Sequence, residues 1–376
     1  MKITSILIDE VIVPAKPGAI DSDKLDRPLH KLPVAGRAGW SIQFDRLPKC
    51  IVRIETEDGT IGLGECYRDH DWRVIEGIAE QLLGRQIESL SLQKLPIAHC
   101  REHNGFECAI WDTRAKILGV RLVDLLGGPV RETVPVSAWS SHRLPAEMGR
   151  VAASFAEQGY ECLKLKSDLD DDIAGWCQQI KQAAPQMKVI IDPNERWQRP
   201  AEVRRRIDAI SRIGNVMCLE DPLPRWMLQE YSRLRGLSPI AIVLHVSLPY
   251  VQHGQRIQDA IQALRADAVD GFNFNGGIAD FQRLDHIASA AGLPCWHGSE
   301  VDLGILEAMY LHCCAAADSC IWPSDIFGRL IRSHDLLKTP LEIIPPLAKV
   351  PQGAGLGVQI DVDALDEFRT DQRRYT

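Results

Sequence analysis

CLKLKS (162–167), KVIIDPN (188–194) and VMCLEDP (216–222) decide the fold. Each is a short run of apolar and β-branched residues that ends in charge. Between them, 171–184 and 200–213 carry apolar residues at helical spacing, so strands and helices alternate. Outward from this core, TVPVSAW (133–139) precedes it, and PIAIVLHVS (239–247), GFNFN (271–275), PCWHGS (294–299) and SCIWPS (319–324) follow, with amphipathic stretches at 145–158, 255–265 and 279–291. Eight such units closing on themselves describe a (β/α)8-type barrel. An open doubly wound sheet has the same rhythm, but it normally carries a glycine-rich turn after its first strand, and WSSHRLP (139–145) has none.

Upstream of the barrel the pattern differs. CIVRIETEDGTIGLGECY (50–67) alternates apolar and polar positions on both sides of Asp58-Gly59, a dipeptide suited to a tight hairpin turn. Residues 72–85 and 105–118 then read as helices, ended by Gly119 and Gly127-Gly128. Strands followed by helices make an α+β unit over residues 1–128, with the barrel over 129–339 and a closing segment over 340–376. The stretch 15–47, rich in Pro, Gly, Asp and Lys, reads as a long loop and a candidate lid.

A chain of 376 residues that is 45% hydrophobic and 25% charged has material for a large core, which excludes a disordered, collagen-like or disulfide-stapled protein. With 51 acidic and 43 basic residues, net charge −8 and no long basic run, nucleic acid is not an expected partner. Asp9 and Glu10 interrupt the early apolar stretch, so it does not read as a signal peptide, and no segment reaches the roughly 18 uncharged apolar residues of a membrane span. The 11 cysteines, scattered from Cys50 to Cys320 and partly inside strand-like runs, read as reduced, buried thiols in a cytoplasmic protein.

Barrel chemistry collects where strands end, so the strand ends carry the functional reading. Lys164 and Lys166 are two apart and lie on the same side of their strand, where they need counter-charge. The next three strands end in Asp192, Glu220 and His245, at intervals of 28 and 25 residues, close to the length of one unit. Two carboxylates and an imidazole side by side around a rim have the spacing of a metal site. Taken singly, each has an ordinary explanation: an Asp before Pro serves turns, Glu220-Asp221 can cap a helix, and a lone His is often a satisfied core residue.

Together, Lys164-x-Lys166, Asp192-x-Asn194-x-x-Trp197, Leu219-Glu220-Asp221-Pro222, Gly276-Gly277 before a helix, and Gly355-Leu356-Gly357-Val358 resemble the mandelate racemase/muconate lactonizing branch of the enolase superfamily. Gly62-Leu63-Gly64-Glu65 and the stretch from Ala109-Ile110-Trp111-Asp112 to Leu125-Leu126-Gly127-Gly128 resemble its capping domain. The resemblance implies a modified (β/α)7β TIM-like barrel under an N-terminal α+β cap, with loops near 15–47 and 65–70 over the mouth and residues 340–376 returning to the cap.

It also implies a reaction: abstraction of the proton α to a carboxylate, with a divalent cation and a lysine stabilising the enediolate. By resemblance, Asp192 and Glu220 are Mg2+ ligands, Lys166 is the acid/base at the α-carbon, and Lys164 is a positive group near the carboxylate. A lysine held beside another cation and partly desolvated is expected to have a lowered pKa, which suits a base. The third metal position, usually Asp or Glu, is His245, a set that weakens Mg2+ or favours Mn2+ or another divalent transition metal. Strand six offers Asn273 and Asn275 where relatives place Lys or Asp, so His297 of strand seven lacks its usual carboxylate. Glu300 or Asp302 is expected to replace that support, and Asn194, Asn275, Glu300, Asp302 and Arg68 are candidate substrate contacts, with Arg37 and His70 nearby in the loops. With Lys166 and His297 on opposite faces of a small carboxylate, the pair dehydrates a sugar acid to a 2-keto-3-deoxy acid or inverts the α-carbon as a racemase or epimerase. A degenerate member that binds without turnover is the third reading. An even-numbered homo-oligomer is expected by resemblance alone.

Overall fold

The computed structural model describes residues 1–25, 47–68, 70–246 and 256–376. Most of the 15–47 loop, with Arg37, and also Asp69 and Ser247 lie outside the described residues. The chain opens with β1 (Ile3–Val11), β2 (Lys49–Thr56) and β3 (Ile61–Glu65), followed by α1 (Trp72–Leu82), α2 (His103–Leu118) and α3 (Leu122–Leu125). β2 and β3 form the hairpin the sequence predicts. Gly59 supplies its positive φ of 83°, and the Asp58 carboxylate accepts from Thr56 Oγ1 at 2.6 Å and the Thr60 amide at 3.2 Å. Ile6, Ile8, Val52 and Ile54 on one sheet face pack against Ile75, Ile78, Phe106 and Ile110 of the helices, a core separate from that of the barrel.

The barrel begins at β4 (Thr133–Pro135) and β5 (Ala138–Ser140), then alternates: α4 (Pro145–Glu157), β6 (Cys162–Lys166), α5 (Ile173–Ala183), β7 (Lys188–Asp192), α6 (Pro200–Ser211), β8 (Val216–Glu220), α7 (Leu228–Leu237), β9 (Ala241–Val246), α8 (Arg256–Arg265), β10 (Gly271–Phe274), α9 (Ile278–Ala290), β11 (Cys295–His297) and α10 (Gly304–Ala316). β5 to β11 form one seven-stranded parallel sheet in sequence order. The eighth run, SCIWPS, is not a strand. It closes the sheet with two single parallel bridges, Cys320 to Cys295 and Ser324 to Val136, because Pro323 has no N–H to continue a ladder. The first run divides at Pro135 for the same reason, with β4 leaving the barrel sheet.

The tail holds α11 (Gly328–Ile331), β12 (Ile343–Ile344), β13 (Leu347–Lys349), α12 (Val362–Phe368) and β14 (Arg369–Tyr375). β13 pairs with β4 at the barrel, and β14 pairs antiparallel with β1 in the first sheet. Asp9, fully buried, fastens that last pairing by accepting from Arg53 and Arg369.

Side-chain parity around the parallel sheet is consistent. Leu163, Leu165, Val189, Ile191, Leu219, Ile242, Leu244, Phe272 and Phe274 face the helices, whereas Cys162, Ile190, Cys218, Val243 and Trp296 form a small cluster inside the barrel. Two residues on from four of these inner positions stand Lys164, Asp192, Glu220 and His245.

Candidate active site

Lys164, Lys166, Asp192, Glu220 and His245 all follow the inward parity, so the structure brings together the charged strand ends that the sequence singles out. Lys164 Nζ lies 2.8 Å from Glu220 Oε2, 3.7 Å from Asp192 Oδ2 and 2.7 Å from Asp325 Oδ2, with the Trp296 ring 5.6 Å away. Lys166 pairs with the Asp192 carboxylate. The lysines differ in access: the Lys164 side chain is 2% exposed and that of Lys166 19%. A ligand entering the mouth therefore meets Lys166 first.

The charges hold one another. Burial opposes the Lys164 ammonium, but Asp325, Glu220 and Asp192 outweigh it and raise its pKa. Burial likewise opposes the Glu220 carboxylate, and Lys164 with His245 holds it well below the usual range. Glu220 Oε1 accepts from Asn273 Nδ2 at 2.7 Å and stands 3.2 Å from His245 Nδ1. Asp192 Oδ1 accepts from the Asn194 amide at 2.9 Å. Among the described residues His245 Nε2, Asn194 Oδ1, Asn273 Oδ1 and Asp325 Oδ1 are buried without a hydrogen-bond partner, so unspent polar capacity surrounds the lysines.

Asp325 is the member that sequence reasoning missed. It follows directly on SCIWPS, so the strand-end rule applied to the eighth run would have found it.

His297 does not join this group. Parity puts Trp296 and Gly298 inside the barrel and His297 outside, where its ring stacks between Phe281 of α9, at 4.6 Å, and Tyr310 of α10, at 3.8 Å. A Cβ at Gly298 would collide with the amide oxygens of Asn273 and Asn275, which is why no larger residue can take the inward position. His297 Nδ1 donates to the Gly298 carbonyl at 2.7 Å, and burial pushes its pKa down to about 4. Neither Glu300 nor Asp302 supports its tautomer. An opposed Lys166/His297 pair is therefore not assembled.

The remaining candidates lie in the seam between cap and barrel. Glu300 pairs with Arg68 at 3.1 Å and accepts from Asn275 Nδ2 at 3.1 Å. Asp302 is wholly engaged: Lys49 Nζ at 2.6 Å, the Glu300 amide at 2.7 Å, Tyr310 Oη at 2.7 Å and Ser299 Oγ at 2.9 Å. With every acceptor direction used, Asp302 holds the seam between cap and barrel. His70 likewise pairs with Glu10, at 2.9 Å.

The proposed metal set also fails on its donors. Asp192 and Glu220 offer hard oxygens, but their four carboxylate oxygens already face Lys166, Lys164, the Asn194 amide and Asn273. Among the described residues no three His, Cys, Asp or Glu side chains are gathered so that they could hold one ion. Asp192, Glu220 and His245 as they stand do not fit a divalent metal.

Two family descriptions cover most of the chain. "Mandelate racemase / muconate lactonizing enzyme, N-terminal domain" matches residues 42–127, and "Enolase C-terminal domain-like" matches residues 147–364. The chain belongs to the mandelate racemase/muconate lactonizing enzyme family. Among relatives of this member, the muconate cycloisomerase 1 of Rhodococcus opacus is 27% identical over 345 residues, 85% of this chain and 90% of its own length. The D-galactarolactone cycloisomerase of Agrobacterium fabrum is 28% identical over 370 residues, 88% and 93%. The fold is that of the N-succinyl Arg/Lys racemase of Bacillus cereus, with a TM-score of 0.84, 20% identity and full coverage of both chains. Among the described residues no helix is long and apolar enough to cross a membrane.

Proposed function

We propose that this family member is an isomerase of the cycloisomerase type, which moves one proton on one face of a small carboxylate through Lys166. The observation that carries this reading is the one-sided mouth: Lys166 is the partly open ammonium group, while the stave ends opposite it present the amides Asn273 and Asn275 and the glycine Gly298. Amides do not exchange protons with carbon acids near neutral pH, and His297 is packed among the helices. Racemisation needs an acid/base on each face of the carbon, and the dehydration expected from sequence needs a second acid at the leaving hydroxyl. Among the described residues neither partner is in place.

In the lactone-forming direction a substrate carboxylate oxygen closes onto one carbon of a C=C bond, and Lys166 Nζ delivers a proton to the neighbouring carbon, next to the second carboxylate. In reverse, Lys166 removes that proton and the C–O bond breaks. Lys164 is enclosed by its three carboxylates, so the more exposed Lys166 is the ammonium group that an anionic substrate meets. The two relatives named as cycloisomerases agree with this reading.

The test is incubation in D2O with a panel of unsaturated dicarboxylates and aldarolactones. Expected is an isomerised product with one deuterium, on one face, at the carbon next to the carboxylate. Loss of optical activity in a chiral substrate, or a 2-keto acid product, would replace this reading with racemisation or dehydration. No turnover of any acid would favour a member that binds without reacting.

A further inference from the structure

β6, β7, β8 and the segment after the last barrel bridge bring Lys164, Asp192, Glu220 and Asp325 to one point, with the ammonium group of Lys164 at the centre of three carboxylates. We infer that Lys164 is a built-in replacement for a divalent ion: it occupies the electrostatic position among Asp192, Glu220 and Asp325, and its presence keeps Mg2+ and Mn2+ out. The inference concerns the same site as the isomerase reading and rests on it for the assignment of the mouth, but not on which reaction occurs there.

Charge is the first argument. Three carboxylates face two ammonium groups, Lys164 and Lys166, which leaves one unit of negative charge in a buried setting. A divalent ion added to that set would turn it net positive, next to two ammonium groups it cannot displace without exposing them to desolvation. Take Lys164 away and two negative charges are left over, the number one such ion neutralises.

Geometry is the second argument. Mg2+ demands several oxygens at about 2.0–2.1 Å in a near-octahedral shell. Glu220 Oε2 is turned to Lys164 at 2.8 Å, and its Oε1 accepts from Asn273 at 2.7 Å. Asp192 turns one oxygen to Lys166 and the other to the Asn194 amide. The stave that would complete the shell ends in His245, whose Nδ1 already leans on Glu220 Oε1 at 3.2 Å. An imidazole is also a poor donor for Mg2+.

The experiment is isothermal titration of the full-length chain with MgCl2 and with MnCl2, with the free Mn2+ resonance signal as a second readout of binding. For the unmodified chain we expect no saturable binding up to about ten millimolar, well above the range in which dedicated protein sites fill. Lys164→Met, which keeps most of the stem volume, is expected to bind Mn2+ at least about a hundredfold more tightly. A unit charge about 4 Å from an ion at an effective dielectric near 20 is worth more than that before relaxation. Lys164→Met with Asp325→Asn is expected to lose the gain. The inference is overturned if the unmodified chain binds either ion below about one millimolar and Asp192→Asn abolishes that binding, a result that needs no folded Lys164 variant. It is equally overturned if Lys164→Met, or Lys164→Gln in its place, is folded and gains no affinity. A chain that turns over no carboxylate but behaves as expected in the titrations would sink the isomerase reading and leave this one standing.

Discussion

Two buried lysines in this protein each face more than one carboxylate, and they are in different states. Lys49 of β2 pairs with Asp302 at 2.6 Å and Glu65 at 3.0 Å, and every polar atom of that network has a partner: Glu65 accepts from the Leu303 and Leu306 amides, and Asp302 from Ser299, Glu300 and Tyr310. Lys164 has comparable ion pairs, yet among the described residues its surroundings retain buried polar atoms without a hydrogen-bond partner, Asp325 Oδ1, Asn273 Oδ1 and His245 Nε2 among them. The difference separates a staple from a site. A closed network fixes the cap to the barrel, and an open one keeps capacity for a visitor.

Breaking the staple gives the largest expected effect. Lys49→Met leaves Asp302 and Glu65 buried with no cation, and such a loss costs about 3–5 kcal/mol. Chemical denaturation is the check, and a loss below about 1 kcal/mol, the level of an exposed pair, would erase the distinction. In the mouth, Lys166→Ala is expected to cut turnover by about a thousandfold, within the span seen for removed acid/base groups. Its stability is expected to fall by less than that of Lys49→Met, because the buried Asp192 keeps Lys164 at 3.7 Å and the Asn194 amide as partners.

Acid gives the next effect. Burial lowers His297 to about 4, as it does His103 and His312, so the unfolded chain takes up their protons first, near pH 6.5. Their contribution is complete above about 6.5 and is lost progressively as pH falls from there to about 4, at most about 3.4 kcal/mol for each. His297→Phe keeps the stack between Phe281 and Tyr310 but cannot titrate, so melting curves across that window are expected to be flatter than those of the parent. An unchanged slope would mean that His297 is solvated. The smallest effect is expected from metal removal: EDTA is predicted to shift the melting temperature by less than about 1 °C, since a ligand bound at a hundred times its Kd would contribute about 2.7 kcal/mol.

The contrast between the two lysines was only half legible in the sequence. Period-two spacing was enough to place Lys164 and Lys166 on one side, and the recurrence of Asp192, Glu220 and His245 at unit length set them on neighbouring staves. The hairpin and barrel followed from equally local signals, Asp58-Gly59 and the alternation of strand and helix runs. The staple carries no such signal, because Lys49 and Asp302 are 253 residues apart and meet only once the two units dock. His297 was misplaced for a different reason. β11 is three residues long, too short for its parity to show, and the matter is decided by neighbours: Trp296 fits the inner cluster, and Asn273 with Asn275 leaves room only for a glycine at 298. Asp325 lies one residue beyond the apolar run that ends at Ser324, so its signal sits outside the run itself.

That eighth run has a bearing on motion. The cylinder is laced along six of its joints by strand ladders, yet its last closure consists of two single bridges, at Cys320 and Ser324, and one further bond from the Asp325 amide to the His297 carbonyl at 2.9 Å. Amide hydrogens along that seam are predicted to trade with solvent sooner than those of β6 to β9. Asp325 is itself the last of these attachments, so each brief parting there would tug the carboxylate nearest Lys164 and leave the most deeply set ammonium group of the mouth loosened from its tether.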